Sequence, residues 1–313
     1  MLAYVVRRVL ATIPVMVVVA LFVFALLHLS PGDPAAIIAG DTATAADIGR
    51  IRAALGLDQP LYWQFGDWVW QLLHGDLGTS IFTNLPVSAL ILQRVEPTVA
   101  LTLSTLIASV AVAIPMGVVA AWKAGSWIDR GVMVFAVLGF SVPVFVLAYI
   151  LIYVFAIGLP LFPVQGYVSI SRGFGPFLSH IVLPTIGLGT VYAALIARIT
   201  RASMLDVLAQ DYIRTAQAKG LSDGHMLVGH ALKNAAVPIA TIVGIGVALL
   251  ISGVVVTETV FAIPGIGRLT VDAILRRDYP VIQGIILIFS FAYVLVNLLV
   301  DLSYTFLDPR IRY

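Results

Sequence analysis

Uncharged, strongly apolar runs of nearly membrane-crossing length recur six times along the chain, with polar stretches between them. They cover roughly residues 9–29, 97–121, 131–157, 181–197, 235–257 and 281–300. A helix crossing a bilayer needs about 20 mostly apolar residues, so the pattern predicts an all-α integral membrane protein with six transmembrane helices. The fourth run is short, but it can continue past Arg198, because a long basic side chain near a span end reaches the headgroups. The first run follows Arg7 and Arg8, as a secretory signal would. A signal's apolar region is only about 7–15 residues, with a small-residue cleavage site close behind. Here the run is longer and SPGDP follows at once, so it is read as an uncleaved first span.

Composition agrees with the pattern. The chain is 60% hydrophobic and 11% charged, with a mean hydropathy of +1.04, against roughly 45–50% and 25% in soluble domains. A net charge of +2 gives no reason to expect nucleic acid as a partner. The absence of cysteine excludes disulfides, thiolate metal sites and cysteine nucleophiles. His28, His74, His180, His225 and His230 form no i, i+4 pair and read as interfacial or solvated residues. There is no G-x-x-x-x-G-K-[ST] loop, G-x-S-x-G elbow or H-E-x-x-H helix. Neither Gly244-Ile245-Gly246 nor Gly265-Ile266-Gly267 continues into a dinucleotide fingerprint. The chain is therefore expected to be no enzyme, with no catalytic residue, metal site or cofactor of its own.

With the N-terminus inside, the inner segments hold eleven of the 18 lysines and arginines, including Lys123, Arg130, Arg198, Arg201, Arg214, Lys219, Lys233, Arg310 and Arg312. The outer segments hold the other seven over more chain, with Arg276 and Arg277 against the trend. The positive-inside rule then places both termini in the cytoplasm. The chain divides into residues 1–96 (first span and structured outer loop), 97–303 (five-helix core) and 304–313 (C-terminal tail).

In the first outer loop, residues 48–55 predict a short helix closed by Gly56. After Pro60 comes an amphipathic segment carrying Tyr62, Trp63, Phe65, Trp68 and Trp70. Such aromatics suit a helix lying on the membrane surface, or a docking surface for an extracytoplasmic partner with Trp63 and Trp68 in contact. The second outer loop, TETVFAIPGIGRLTVDAILRRDYP, has a turn at PGIG and helical spacing after it. It is expected to cap the outer mouth, with Phe261 and Pro264 as gate or contact residues.

The spans lack acidic and basic residues at their centres, Glu258 and Asp301 standing at span ends. Ion-coupled carriers commonly place such groups deep in the bundle, so energy for uphill transport would enter from outside the membrane. Ser141-Val142-Pro143, Ser252-Gly253 and Asn297 supply milder polarity. They serve either helix packing or a path whose candidate residues are Ser141, Pro143, Ser252 and Asn297.

The longest inner segment, about residues 201–235, includes DYIRTAQAKGLSDGHMLVGHALKNAAVPI. Asp211 is the expected N-cap of a two-turn helix, Gly220 its left-handed end and Ser222 the start of a second helix. Helices this short are marginal alone, so this one needs its own bundle or another protein to pack on.

YIRTAQAKGL and HALKNA resemble the inner loop of bacterial ABC-importer permeases of the dipeptide and oligopeptide branch. RRVL, HLSPGDP, LGLDQP, GDLGTS, ETVFAIPGIGRL, RRDYPVIQG and LDPRIRY extend the resemblance over nearly the whole chain, most closely to the first of the two permeases in such systems. It implies a type I importer permease fold in the inner membrane and a second, usually different, permease subunit. It also implies two ATPase subunits that bind ATP and magnesium, and an extracytoplasmic solute-binding protein. By position, Arg214, Thr215, Ala216, Gln217, Lys219 and Gly220 would form the coupling helix at the ATPase interface. Arg214 stands where the wider family has glutamate, and Pro238 comes later than usual. The resemblance leaves peptides, glutathione, nickel complexes and some sugars as solutes. From the residues alone, a stand-alone channel, a secondary carrier or a non-transporting membrane interaction protein are the competing classes.

Overall fold

A computed structural model describes residues 2–29, 35–36, 44–54 and 56–307. The SPGDP segment, Leu55 and the tail from residue 308, with Arg310 and Arg312, lie outside the described residues. Among the described residues every regular element is a helix, beside one isolated bridge between Thr79 and Pro86. In order, the helices are α1 (Leu2–Leu29), α2 (Ala45–Ala54), α3 (Leu61–Leu73), α4 (Val87–Trp122), α5 (Trp127–Ser141) and α6 (Val144–Leu151). They continue as α7 (Phe174–Leu208), α8 (Asp211–Ala218), α9 (Asp223–Val260), α10 (Ile266–Arg276) and α11 (Tyr279–Leu307). Four of them, α4, α7, α9 and α11, are long and apolar enough to cross a membrane. The α5–α6 pair qualifies as a broken fifth, and 10–26 of α1 form a shorter apolar helix.

The expected continuous span over 131–157 is the main difference from the sequence reading. It is cut at Ser141-Val142-Pro143 and bent by 104°. The ring of a proline disfavours helical backbone at the residue before it, and Val142 is extended, with φ −86° and ψ 122°. Pro143 then serves as the N-cap of α6. Beyond α6 the helix widens into a π turn over Ile152–Gly158.

The chain folds as two compact units. The larger holds residues 94–268 with 2–5 and 293–307. Its core is built round α7, which contributes Phe177, Ile181, Leu183, Leu188, Tyr192, Ile196 and Ala197 to one buried cluster. Leu101 of α4, Val132 of α5, Ala148 and Leu151 of α6, and Leu250 and Val254 of α9 close around it. An ion pair ties α5 to α7: Arg201 donates to Asp129 through Nε and Nη2, the Nη2–Oδ2 contact being 2.7 Å. The same carboxylate accepts the Gly125 N–H at 2.9 Å and so fixes the turn before α5. Planar guanidinium against carboxylate is among the strongest of such contacts.

The smaller unit holds residues 6–93 and 269–292. In it, Phe24 of α1 meets Phe65 and Trp68 of α3 at ring-centroid distances of 5.3 and 5.8 Å. The loop before α4 is pinned by Asp278, which accepts the Ser80 hydroxyl at 2.6 Å and the Ile81 N–H at 3.2 Å. Pro60 starts α3 as expected, and Gly56 has the expected positive φ of 65°.

Candidate functional site

Helix α8 interrupts the polar stretch between α7 and α9. Asp211, expected as its N-cap, is its first residue, so the helix starts one place earlier than expected: the N-cap is Gln210, whose side chain makes no capping bond. Asp211 instead adds a carboxylate to the first turn, where the helix dipole favours one. Arg214 lies 3.6 Å from it, but both side chains are exposed, and such pairs contribute little stability.

The C-terminal end is tightly specified. Gly220 has φ +80°; its N–H bonds to the Gln217 carbonyl at 2.9 Å, and the Leu221 N–H reaches the Ala216 carbonyl at 3.2 Å. Those two bonds are a Schellman closure, which needs the left-handed conformation that glycine adopts without strain. A Cβ on Gly220 would meet nothing within 4 Å, so the requirement is conformational rather than spatial.

One residue fastens this helix to the bundle. Ile213 is almost wholly buried, in a cluster with Met204 of α7 and Met226, Leu227, Ala231 and Ala235 at the start of α9. Ala216 is half-buried, while Arg214, Thr215, Gln217, Lys219 and Gly220 are exposed. Ser222 occupies the N-cap position of α9, as expected. The first turns of α9 are a π segment over Met226–Leu232, and it is this segment that Ile213 packs on. The structure thus places Arg214, Thr215, Ala216 and Gln217 on one short helix, with Lys219 and Gly220 in the turn that closes it. It also shows Ile213, whose role the spacing did not reveal, as the link to α7 and α9.

At the opposite end of α9, roughly 50 Å away by helical rise, the chain builds a cage round Glu258. That side chain is fully buried. It accepts the Thr98 hydroxyl at 2.6 Å and the Arg268 N–H at 2.9 Å, and the Gly267 N–H is a further donor. Thr98 in turn accepts the Ile266 N–H at 2.8 Å. A carboxylate therefore sits on the first turn of α10, where unpaired backbone N–H groups favour an anion. Space allows only glycine at one wall: a Cβ on Gly265 would lie 2.1 Å from the Glu258 Oε1. Expected merely at a span end, Glu258 is the centre of the PGIG cap. No charge pattern could signal it, because Thr98 comes 160 residues earlier.

The other candidates fall as follows. Phe261, expected as a gate or contact residue, lies in the core, and its carbonyl accepts the Gly166 N–H at 2.8 Å; Pro264 is exposed. Trp63 is exposed, whereas Trp68 is partly covered by Phe24. Ser141 and Pro143 flank the α5–α6 break, and the Ser141 hydroxyl bonds to its own helix at Val137. Ser252 is exposed and Asn297 half-buried. Phe140, Val144 and Gly253, next to three of these four, line a cavity of about 60 Å³ with Leu188, Tyr192 and Leu250. Ligand pockets run from about 300 Å³, so this cavity holds no peptide. Among the described residues no group of three or more potential metal ligands occurs.

Two family models match the chain. Residues 113–313 match the binding-protein-dependent transport system inner membrane component, and residues 1–102 match the N-terminal part of such membrane components. A Sinorhizobium fredii protein named "Probable peptide ABC transporter permease protein" is 56% identical over 99% of both chains. A Brucella abortus protein named for a peptide transport system permease is 47% identical over the full length of both. The glutathione transport system permease protein of Salmonella typhimurium is 43% identical, again over both whole chains.

Proposed function

The chain belongs to the family of binding-protein-dependent transport system inner membrane components, and from that premise we propose that it forms half of the path by which an ATP-driven importer takes up peptides of the dipeptide and oligopeptide class. It is a multi-pass inner-membrane permease of an ABC importer. Such a component works with ATPase subunits and a substrate-binding protein, and the hydrolytic site, with its ATP and magnesium, belongs to the ATPases. The second permease subunit is a related but different chain.

The observation that carries the reading is α8 itself. A two-turn helix closed by Gly220 and fastened through Ile213 presents Arg214, Thr215, Gln217 and Lys219 outward. Exposed polar residues on a helix that is rigidly attached beneath two spans suit an ATPase cleft. Motion of α8 is passed to α7 and α9 together, because Ile213 touches the ends of both. ATP-driven approach of the ATPases would then switch the bundle between two packings, the usual mechanical form of such transitions. ATP contacts supply the difference in energy between the states. Six spans follow if 10–26 of α1 and the bent α5–α6 pair each cross once, which leaves both termini on the α8 side. The 60 Å³ cavity corresponds to a path that is shut at the level of Ser141, Pro143 and Ser252.

Peptide rather than glutathione is favoured by the two more similar relatives, both named for peptide transport. The test is expression of the whole chain with its own ATPase subunits and partner permease. The ATPases should co-isolate with the wild type, and transport of a labelled dipeptide should require the binding protein and ATP. Isolation of the chain alone, with solute flux that ignores ATP, would identify a channel or carrier instead.

A further inference from the structure

The turn joining α4 to α5 lies outside the residues assigned above to coupling and to the path, and its side chains form an arrangement of their own. Trp127 is 84% exposed, Ile128 is 50% exposed and Trp122 is 41% exposed, all at the ends of apolar helices. The Lys123 Nζ stands 3.8 Å over the Trp122 ring, and the Arg130 guanidinium 5.4 Å over the Trp127 ring. Cation–π contacts of this kind hold a cation in place without neutralising it.

The one carboxylate of the turn is already engaged. Asp129 is buried beneath the surface, chelated by Arg201 and bonded to the Gly125 N–H. Lys123 and Arg130 form no ion pair among the described residues. The surface therefore carries two fixed positive charges, two indoles and an isoleucine. Indoles prefer the level of the headgroups, and paired basic groups attract phosphate.

We propose that this turn binds the phosphate of an anionic phospholipid headgroup, with Lys123 and Arg130 contacting the phosphate oxygens and Trp122, Trp127 and Ile128 seated at the glycerol and upper acyl level. The Asp129–Arg201 pair is the device that keeps the site basic, since Arg201 engages both oxygens of the one carboxylate in the turn. A free phosphate ion shares the charge but has no use for the aromatic seat. Placement in the inner leaflet rests on the topology proposed above; the headgroup preference does not.

The experiment is native mass spectrometry of the full chain, in its complex with the ATPases, released from detergent with added phosphatidylglycerol or phosphatidylcholine. The wild type should retain phosphatidylglycerol in preference to phosphatidylcholine. Lys123→Gln with Arg130→Gln should weaken that retention about 30-fold, each charge counting for about fivefold. Inorganic phosphate at millimolar concentration should not displace the lipid. The same unfolding midpoint in the double variant would show that the fold is kept. Equal retention of both lipids, or full retention by the double variant, would overturn the proposal. So would displacement by phosphate, which would mark a simple anion site, or loss of a protein subunit in place of lipid. Sidedness is read separately: Ala124→Cys, in a chain without other cysteines, should resist a membrane-impermeant maleimide added outside intact cells. Labelling from outside would refute the topology and leave the headgroup preference to be judged by the lipid data alone.

Discussion

The two ends of α9 are built on opposite plans. At its start, α8 buries one of its eight residues, Ile213, and leaves five of the six expected contact residues in the open. At its end, the cap from Glu258 to Gly267 turns its carboxylate, Phe261, Ile263 and two glycines inward, and satisfies every donor round Glu258 with a partner. A surface made to be gripped needs free polar groups and one firm attachment. A lid that must keep its shape needs the reverse. The same helix connects them, so displacement at one end reaches a part that resists local deformation. If α8 is gripped as proposed above, resistance of that kind would turn a push into a rigid-body tilt rather than a local melting.

That contrast can be broken most forcefully at the cap. Glu258→Ala leaves a hydroxyl and two backbone N–H groups unpaired in the interior, at about 1–3 kcal/mol each. The purified complex should lose about 4–5 kcal/mol of stability, seen as a large fall in unfolding midpoint. Gly265→Ala should act in the same direction through the clash with the carboxylate. Ile213→Ala, at about 3 kcal/mol for a large-to-small core change, should behave differently. Its effect should be local, with faster amide exchange in α8 and failed uptake while the bundle keeps its midpoint.

Smaller changes sharpen the distinction. Gly220→Ala forces a side chain into a left-handed turn, at about 1 kcal/mol, and should reduce uptake per ATP without preventing assembly. Arg214→Ala should leave the unfolding midpoint unchanged, because its partner Asp211 is exposed. It should weaken co-isolation of the ATPases, and more so at low salt, where exposed charges count most. The least effect is expected at Tyr167, whose phenol donates to the Glu96 Oε1 at 3.2 Å. Burial, reinforced by the charge of Glu96, pushes its pKa up to about 12. The folded value exceeds the unfolded one of about 10, so its contribution is present below pH 10 and lost as pH rises towards 12. Unfolding midpoints should be flat from pH 7 to 9 and fall above 10, less steeply in Tyr167→Phe.

Local signals in the sequence anticipated much of this. Gly220, Gly56 and Pro60 mark helix ends that are present as expected, because positive φ and the missing proline N–H are local requirements. The apolar runs marked the helices that form the spans. What escaped was set by distance or direction. Ile213 and Tyr212 are adjacent and both apolar in character, and only the fold decides that the first points inward. Arg201 counts in the sequence only as one of the inner basic residues, and nothing local ties it to Asp129, 72 residues away, on which it closes. A proline such as Pro143 by itself implies only a kink, and the break of 104° needed Val142 to leave the helix as well. A carboxylate at a span end gave no sign that a helix beginning eight residues later would fold back onto it.

The central claim is that α8 carries the motion of ATPase subunits into the bundle, and Gly220→Pro tests it most directly. Proline fixes φ near −65°, where the closure requires +80°, and it removes the N–H that bonds Gln217. In proteoliposomes holding the complete importer, the ratio of dipeptide taken up to ATP hydrolysed should collapse while hydrolysis and subunit assembly persist. An unchanged ratio would show that force does not pass through α8.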